Sequence, residues 1–423
     1  MKVSLAYGEG FLDCEVPENT TVITPSHAAP LADERTAVLA ALDEPIESRP
    51  LRELVAGKKI CLSFSDISRA TPNERIIPWV LNYLDGLVPD ENITLINQTG
   101  THRPNTKAEL EKMLTPAVVA RYRVLNHECE DSANLVKVGA MEDGTPLLIN
   151  RHVVEADFRI VTGFIEPHFF AGFSGGPKGI MPGTAGMETI MANHGSKNVG
   201  SDGAAFGITD GNPLWENLRD IALMAGPSFV LNVTLDTHKN ITGVFAGDLI
   251  KAHRVGCEFV RRTAMQEVDN LFDVVVTTNS GYPLDLNLYQ TVKGISAAAR
   301  IVKPNGVIII ASECREGAPP GCPYEKLAAS APDIATLLEK IETPGFRYPE
   351  QWQAHVQALI QRRARVMVYS SVTPEELRML HLEPCTDISA SVRESLATAG
   401  SDARCAVLPY GPLTVPYVKT VAK

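Results

Sequence analysis

Short runs of aliphatic and β-branched residues recur along this chain, each ending in a turn of glycine, asparagine or serine, and helical patterns follow many of them. Ile60–Phe64 leads into Ser65-Asp66-Ile67-Ser68-Arg69 and then a helix over Asn73–Leu84. Ile93–Gln98 leads into Gly100-Thr101-His102-Arg103-Pro104, after which Thr106 and Glu109 form a capping-box pattern opening a short helix to Met113. Tyr122–Asn126, Leu135–Val138 and Leu147–Ile149 read as strands, the last two joined closely enough to be antiparallel. Arg159–Phe164 runs into a glycine-rich loop, Phe229–Leu235 is a strand, and Ile250–Thr263 a helix. From Phe272 the rhythm restarts, with strands at Val274–Thr277, Val307–Ala311, Val366–Tyr369 and Cys405–Leu408 among helices at about 287–301, 333–341, 351–364, 374–380 and 388–399. Such alternation specifies an α/β fold of two α/β domains with largely parallel sheets. The expected domains are 1–270, completed by about 409–423, and a Rossmann-like unit over 271–408.

Length and composition narrow the partners. A chain of 423 residues, 44% apolar, supports more than one core. Its formal net charge of −11, with acids and bases interleaved, disfavours nucleic acid or an anionic membrane as partner. No apolar run approaches the roughly 18 residues of a membrane span, and the first residues carry no signal-like apolar region. A cytoplasmic protein is expected. The eight cysteines are scattered without a C-x-x-C pair, which reads as reduced, incidental thiols.

The chemistry concentrates at strand exits, which converge on one crevice in open α/β sheets. His102 follows one strand and His168 another; two imidazoles flanking a carbon can each act as acid or base near neutral pH. The loop from His168 to Gly183 holds Ser174-Gly175-Gly176, whose amides are candidates for an anion nest, and Lys178, a phosphate clamp, Schiff-base amine or attachment point. The P-loop spacing fails, because Pro177 and Gly179 stand where glycine and a hydroxyl residue are required, and G-x-G-x-x-G is absent. His194 follows in Met191-Ala-Asn-His-Gly195 as a candidate ligand. Asp66, Ser68 and Arg69 suit a hydroxylated, phosphorylated ligand, with Arg69 giving bidentate contacts to an oxyanion. In the second unit Tyr289-Gln290-x-x-Lys293 places an amide and an ammonium one helical turn apart, where they can share a carboxylate. Trp352 is a candidate wall of the site. The remaining histidines read as structural or surface residues.

Together these motifs resemble the lactate racemase family that uses the nickel-pincer nucleotide cofactor. The resemblance rests on Ser65-Asp66-x-x-Arg69, Gly100-Thr-His-Arg-Pro104, His168 with Gly172-Phe-Ser-Gly-Gly-Pro-Lys178 and Pro182-Gly183, His194, and Tyr289-Gln290-x-x-Lys293. It implies a cofactor-binding first domain, an active-site cleft between the two domains, and a pyridinium-3,5-bisthiocarboxylic acid mononucleotide holding nickel. Lys178 would form the thioamide tether and His194 would ligate nickel. Asp66, Ser68 and Arg69, with Ser174, Gly175 and Gly176, would bind the nucleotide. His102 and His168 would be the paired acid/base groups, and Tyr289, Gln290, Lys293 and Trp352 would meet the substrate. The implied activity is racemisation or epimerisation of a small-molecule 2-hydroxy acid by hydride removal and return, dependent on separate cofactor-biosynthesis enzymes. Phe169, Phe170, Met181 and Tyr282 are expected beside Trp352 in the pocket that chooses the substrate. Two other readings stand beside this one: a metal-dependent hydrolase using His102, His168 and His194 as ligands, and a non-catalytic anion- or nucleotide-binding protein.

Overall fold

The computed structural model describes residues 1–26, 28–236, 238–318 and 322–419, so His27 and the last four residues lie outside the description. Two compact units emerge: His27–His194 with Gly203–Thr263, and Met1–Ser26 with Gly195–Asp202 and Ala264–Lys423. Each is α/β.

The first of these is built on a six-stranded sheet ordered Ile241–Asp248, Ser228–Leu235, Phe158–Phe164, Ile60–Ser65, Ile93–Gln98, Arg123–Asn126. All neighbours are parallel except the pair Ser228–Leu235 and Ile241–Asp248. Ile60–Ser65 and Phe158–Phe164 are buried at every position, as expected of central parallel strands covered on both faces. The helix Asn73–Leu84 places Ile76, Ile77, Val80, Leu81 and Leu84 against Leu62, Phe64 and Leu95 in one core. The capping box of Thr106 and Glu109 is present and starts the helix Lys107–Leu114. Leu135–Ala140 and Pro146–Asn150 form the expected antiparallel pair. Chain order runs outward from Ile60–Ser65 in one direction and from Phe158–Phe164 in the other. The exits of these two neighbouring strands therefore flank a topological switch point, where open α/β sheets bind ligands.

The second unit has an all-parallel sheet ordered Glu383–Pro384, Arg365–Tyr369, Val302–Ala311, Phe272–Thr278, Cys405–Leu408, Thr21–Val22. Its ends differ from the sequence expectation. The N-terminal segment, expected in the first domain, adds an edge strand here, and its hairpin Lys2–Tyr7/Gly10–Glu15 is held by Gly8 N–H donating to the buried Asp285 carboxylate at 2.7 Å. Val415–Val418 pairs with Met265–Val268 rather than completing the first domain. Backbone pairing with strands far away in sequence, invisible to local pattern, decides both placements. All eight cysteines are free, six of them buried, and burial pushes the Cys61 thiol up to about 12. Among the described residues no helix is long and apolar enough to cross a membrane.

Candidate active site

Asp66 stands at the exit of Ile60–Ser65 and is only 3% exposed. Its Oδ2 lies 2.7 Å from His102 Nδ1, and Ser68 Oγ donates to Oδ1 at 2.9 Å. Arg69 Nε is 3.8 Å from Oδ1. Burial alone would raise the Asp66 carboxyl. The hydrogen bond from His102, the charges of His102 and Arg69 and the Ser68 hydroxyl outweigh it and hold the group below its ordinary value. An ionised carboxylate only accepts, so His102 carries a proton on Nδ1 and donates it to Asp66. The sequence reading gave Asp66 to a nucleotide; the structure gives it His102 as partner.

His168 lies in a short antiparallel pair, Pro167–His168 with Gly172–Phe173. Gly172 has φ +75°, and a Cβ there would come 2.1 Å from Ile208 O, so no other residue permits this turn. Ala171 N–H donates to His168 Nδ1 at 3.1 Å. Nδ1 therefore carries no proton and the ring N–H is on Nε2, whereas His102 has its proton on Nδ1. Phe169 stacks on His168 with centroids 5.0 Å apart, and Phe170 meets the ring edge-on at 4.6 Å. Phe170 also meets His194 edge-on at 5.3 Å, so one phenyl ring touches both imidazoles.

His194 caps the helix Met187–Asn193 and is buried. Burial, and then the nearby Lys178 charge, push its ring down to about 3. It is neutral, with a nitrogen lone pair suited to a borderline metal ion. Lys178 sits in the turn Gly176–Gly179, which is pinned from beneath. Gly176 N–H donates to Asn232 Oδ1 at 2.7 Å, and His253 Nε2–H donates to Ser174 O at 2.9 Å. His253 is driven down to about 4 by burial, then by the Lys178 charge, against the pull of the Ser174 carbonyl. The turn bearing His102 joins this loop through Gly100 N–H donating to Gly183 O at 3.0 Å.

The anion nest expected at Ser174–Gly176 is not formed. The Ser174 amide donates to Glu166 O and the Gly176 amide to Asn232, because the loop is tied to the sheet beneath it. Sequence reasoning missed Asn232 and His253. Asn232 had a signal, an amide in the apolar strand Ser228–Leu235; His253 had none that separates it from any buried histidine.

In the other unit Asn287 caps the helix Leu288–Ala299 by accepting Gln290 N–H at 3.1 Å. Trp352 Nε1–H donates to Tyr289 Oη at 3.3 Å, fixing these two expected substrate residues against each other. Gln290 Oε1 is buried without a hydrogen-bond partner among the described residues, and Lys293 follows one turn later. A cavity of about 370 Å³ in this unit, lined by Asn19, Glu267, Phe272 and Arg404 among others, contains none of the candidate residues.

Residues 7–207 match the model of the lactate racemase N-terminal domain, and residues 268–415 that of the lactate racemase C-terminal domain. A lactate racemase from Lactiplantibacillus plantarum is 37% identical over 382 residues, 89% of this chain and 90% of the relative. One from Thermoanaerobacterium thermosaccharolyticum is 34% identical over 417 residues, 97% of each chain. The solved lactate racemase apoprotein from T. thermosaccharolyticum superposes with a TM-score of 0.92 at 32% identity, covering 99% of this chain and all of that one. A Thermotoga maritima protein at 19% identity and TM-score 0.70, covering 93% of this chain and all of that one, shares the fold. With domain models matched across most of its length and relatives above 30% identity, this chain belongs to the lactate racemase family.

Proposed function

We propose that this protein is a racemase or epimerase of a 2-hydroxy acid, in which Lys178 tethers a nickel-pincer nucleotide and His194 ligates its metal. The observation that carries the reading is the convergence within one unit: a carboxylate-backed His102, His168 and His194 both in edge-on contact with Phe170, and Lys178 close enough for its charge to depress His194. The residues fit the group. A neutral buried imidazole is a suitable nickel donor, and the lysine beside it offers the amine a tether requires.

When bound, the nucleotide supplies a reversible two-electron acceptor for the substrate's α-hydrogen, a step the protein's own side chains cannot perform. The protein handles the proton and the charge. His102 Nε2 accepts the hydroxyl proton, and Asp66 stabilises the imidazolium that forms. His168 presents Nε2–H as a hydrogen-bond donor to the substrate oxygen, and the proton held on His102 returns to that oxygen as the hydroxy acid re-forms. Gln290 and Lys293 bind the substrate carboxylate, with Tyr289 and Trp352 as a wall. Arg69 and Ser68, exposed beside Asp66, remain the side chains for the nucleotide. Lactate, from the names of the relatives, is the first substrate to test.

Among the described residues no three His, Cys, Asp or Glu side chains gather as a metal site. The three-histidine hydrolase therefore draws no support from the geometry.

Intact-protein mass after co-expression with cofactor-making enzymes and nickel tests the reading. An adduct absent from Lys178→Ala, together with inversion of α-deuterated lactate that retains deuterium, is expected. No adduct and no inversion of any 2-hydroxy acid in a broad panel would refute it.

A further inference from the structure

His127 follows the strand Arg123–Asn126 and is completely buried, yet the chemistry above does not use it. Four hydrogen bonds radiate from it, two to each side. Its backbone N–H donates to Asn97 O at 3.2 Å and its carbonyl accepts from Thr99 Oγ1, so it grips the two ends of the segment leading to His102. Its ring faces the other way. Nε2–H donates to Ala185 O at 2.9 Å, and Nδ1 accepts from Asn150 Nδ2 at 3.1 Å. Asn150 in turn donates its backbone N–H to Thr184 O at 2.8 Å. Thr184 and Ala185 close the loop that begins at His168, and Gly183 in that loop donates to Lys178 O at 3.1 Å while accepting from Gly100.

We infer that His127 is a positioning residue that sets the spacing between the turn carrying His102 and the loop carrying Lys178. Both halves of the imidazole are needed, one nitrogen as donor and the other as acceptor, which is the neutral form that burial enforces. No aliphatic residue supplies either bond, and a lysine or arginine has no acceptor. The inference rests on the reading of His102 and Lys178 as working groups, because a fixed distance between them matters only if both engage one ligand. A displacement of about 1 Å between reacting groups can cost about 10²-fold in rate.

Three variants test it: His127→Leu, which removes both ring bonds; His127→Gln, which keeps a donor and an acceptor; and Thr99→Val, which cuts only the link to the His102 turn. The readouts are kcat and KM for lactate on the nickel-loaded enzyme, and trace amine labelling of Lys178 relative to surface lysines in the apoprotein. His127→Leu is expected to lower kcat by about 10²-fold at nearly constant KM and to change relative Lys178 labelling severalfold, with His127→Gln restoring most of both. Thr99→Val is expected to lower kcat and leave Lys178 labelling as in the wild type. Wild-type labelling in a folded His127→Leu, no rescue by His127→Gln, or wild-type kcat in Thr99→Val each overturns the inference. Thr99→Val, which keeps a nearly isosteric side chain, decides the matter should His127→Leu not fold. If the wild type itself turns over no 2-hydroxy acid, the functional reading fails, while the labelling still reports whether His127 holds the loop.

Discussion

His102 Nδ1 and Asp66 Oδ2 are 2.7 Å apart, and this contact orients an otherwise half-exposed imidazole, as the proposed role of His102 as a base requires. Asp66 is buried and ionised, so it fixes the tautomer and the ring angle and offsets the charge when His102 takes a proton. Asp66→Asn can present its amide N–H to the ring and invert the tautomer. Its kcat should fall by about 10²–10⁴-fold with little change in KM, as for other carboxylate-backed histidines. Steady-state racemisation measures this, and a loss confined to KM would return Asp66 to a purely binding role.

The two imidazoles proposed to handle protons should be distinguishable without any turnover. Long-range ¹H–¹⁵N spectra of the apoprotein near pH 7.5 should show His102 protonated on Nδ1 and His168 on Nε2, because one faces a carboxylate and the other the Ala171 amide. Asp66→Asn should alter the first pattern and leave the second. Identical tautomers in the wild type would remove the division of roles.

Removing the proposed carboxylate anchor, Lys293, should act on binding. Lys293→Ala is expected to weaken substrate binding by roughly 1.5–3 kcal/mol, the range for a hydrogen bond to a charged group. That is about 10–150-fold in KM. Isothermal titration with a non-reacting 2-hydroxy acid analogue separates this from any effect on kcat; unchanged affinity would mean that Lys293 faces elsewhere.

The buried histidines predict acid sensitivity. His127 is pushed from 6.5 to about 4 by burial, against the Ala185 carbonyl and the Asp131 charge. A histidine depressed in the folded state binds its proton first in the unfolded chain. Its contribution is therefore complete above pH 6.5 and is lost as pH falls from there through about 4, a change of about 3 kcal/mol for this group. His253, also held to about 4, loses its contribution over the same window. Urea unfolding of the apoprotein should show stability falling from pH 7 to 4.5, with a shallower slope in His127→Gln. A flat profile would contradict the buried neutral rings.

What the sequence by itself determined is the part governed by local chemistry. The alternation of buried strands with helices, the Thr106–Glu109 capping box and the placing of Asp66, His102 and the His168–Gly183 loop at strand exits all follow from periodicity and turn residues within a few positions. The family motif was likewise legible, since it consists of short strings at strand ends. Tertiary structure alone decided the partners. Asp66 and His102 are 36 positions apart, Gly176 and Asn232 are 56, and Gly8 and Asp285 are 277. No local pattern specifies which carboxylate meets which imidazole, or that a glycine amide is spent on the sheet rather than left for an anion. The placing of the N-terminal hairpin with the second unit belongs to the same class. Such contacts arise only when the packing of the core brings remote backbone donors and acceptors within about 3 Å, where an unpaired buried polar group would be costly.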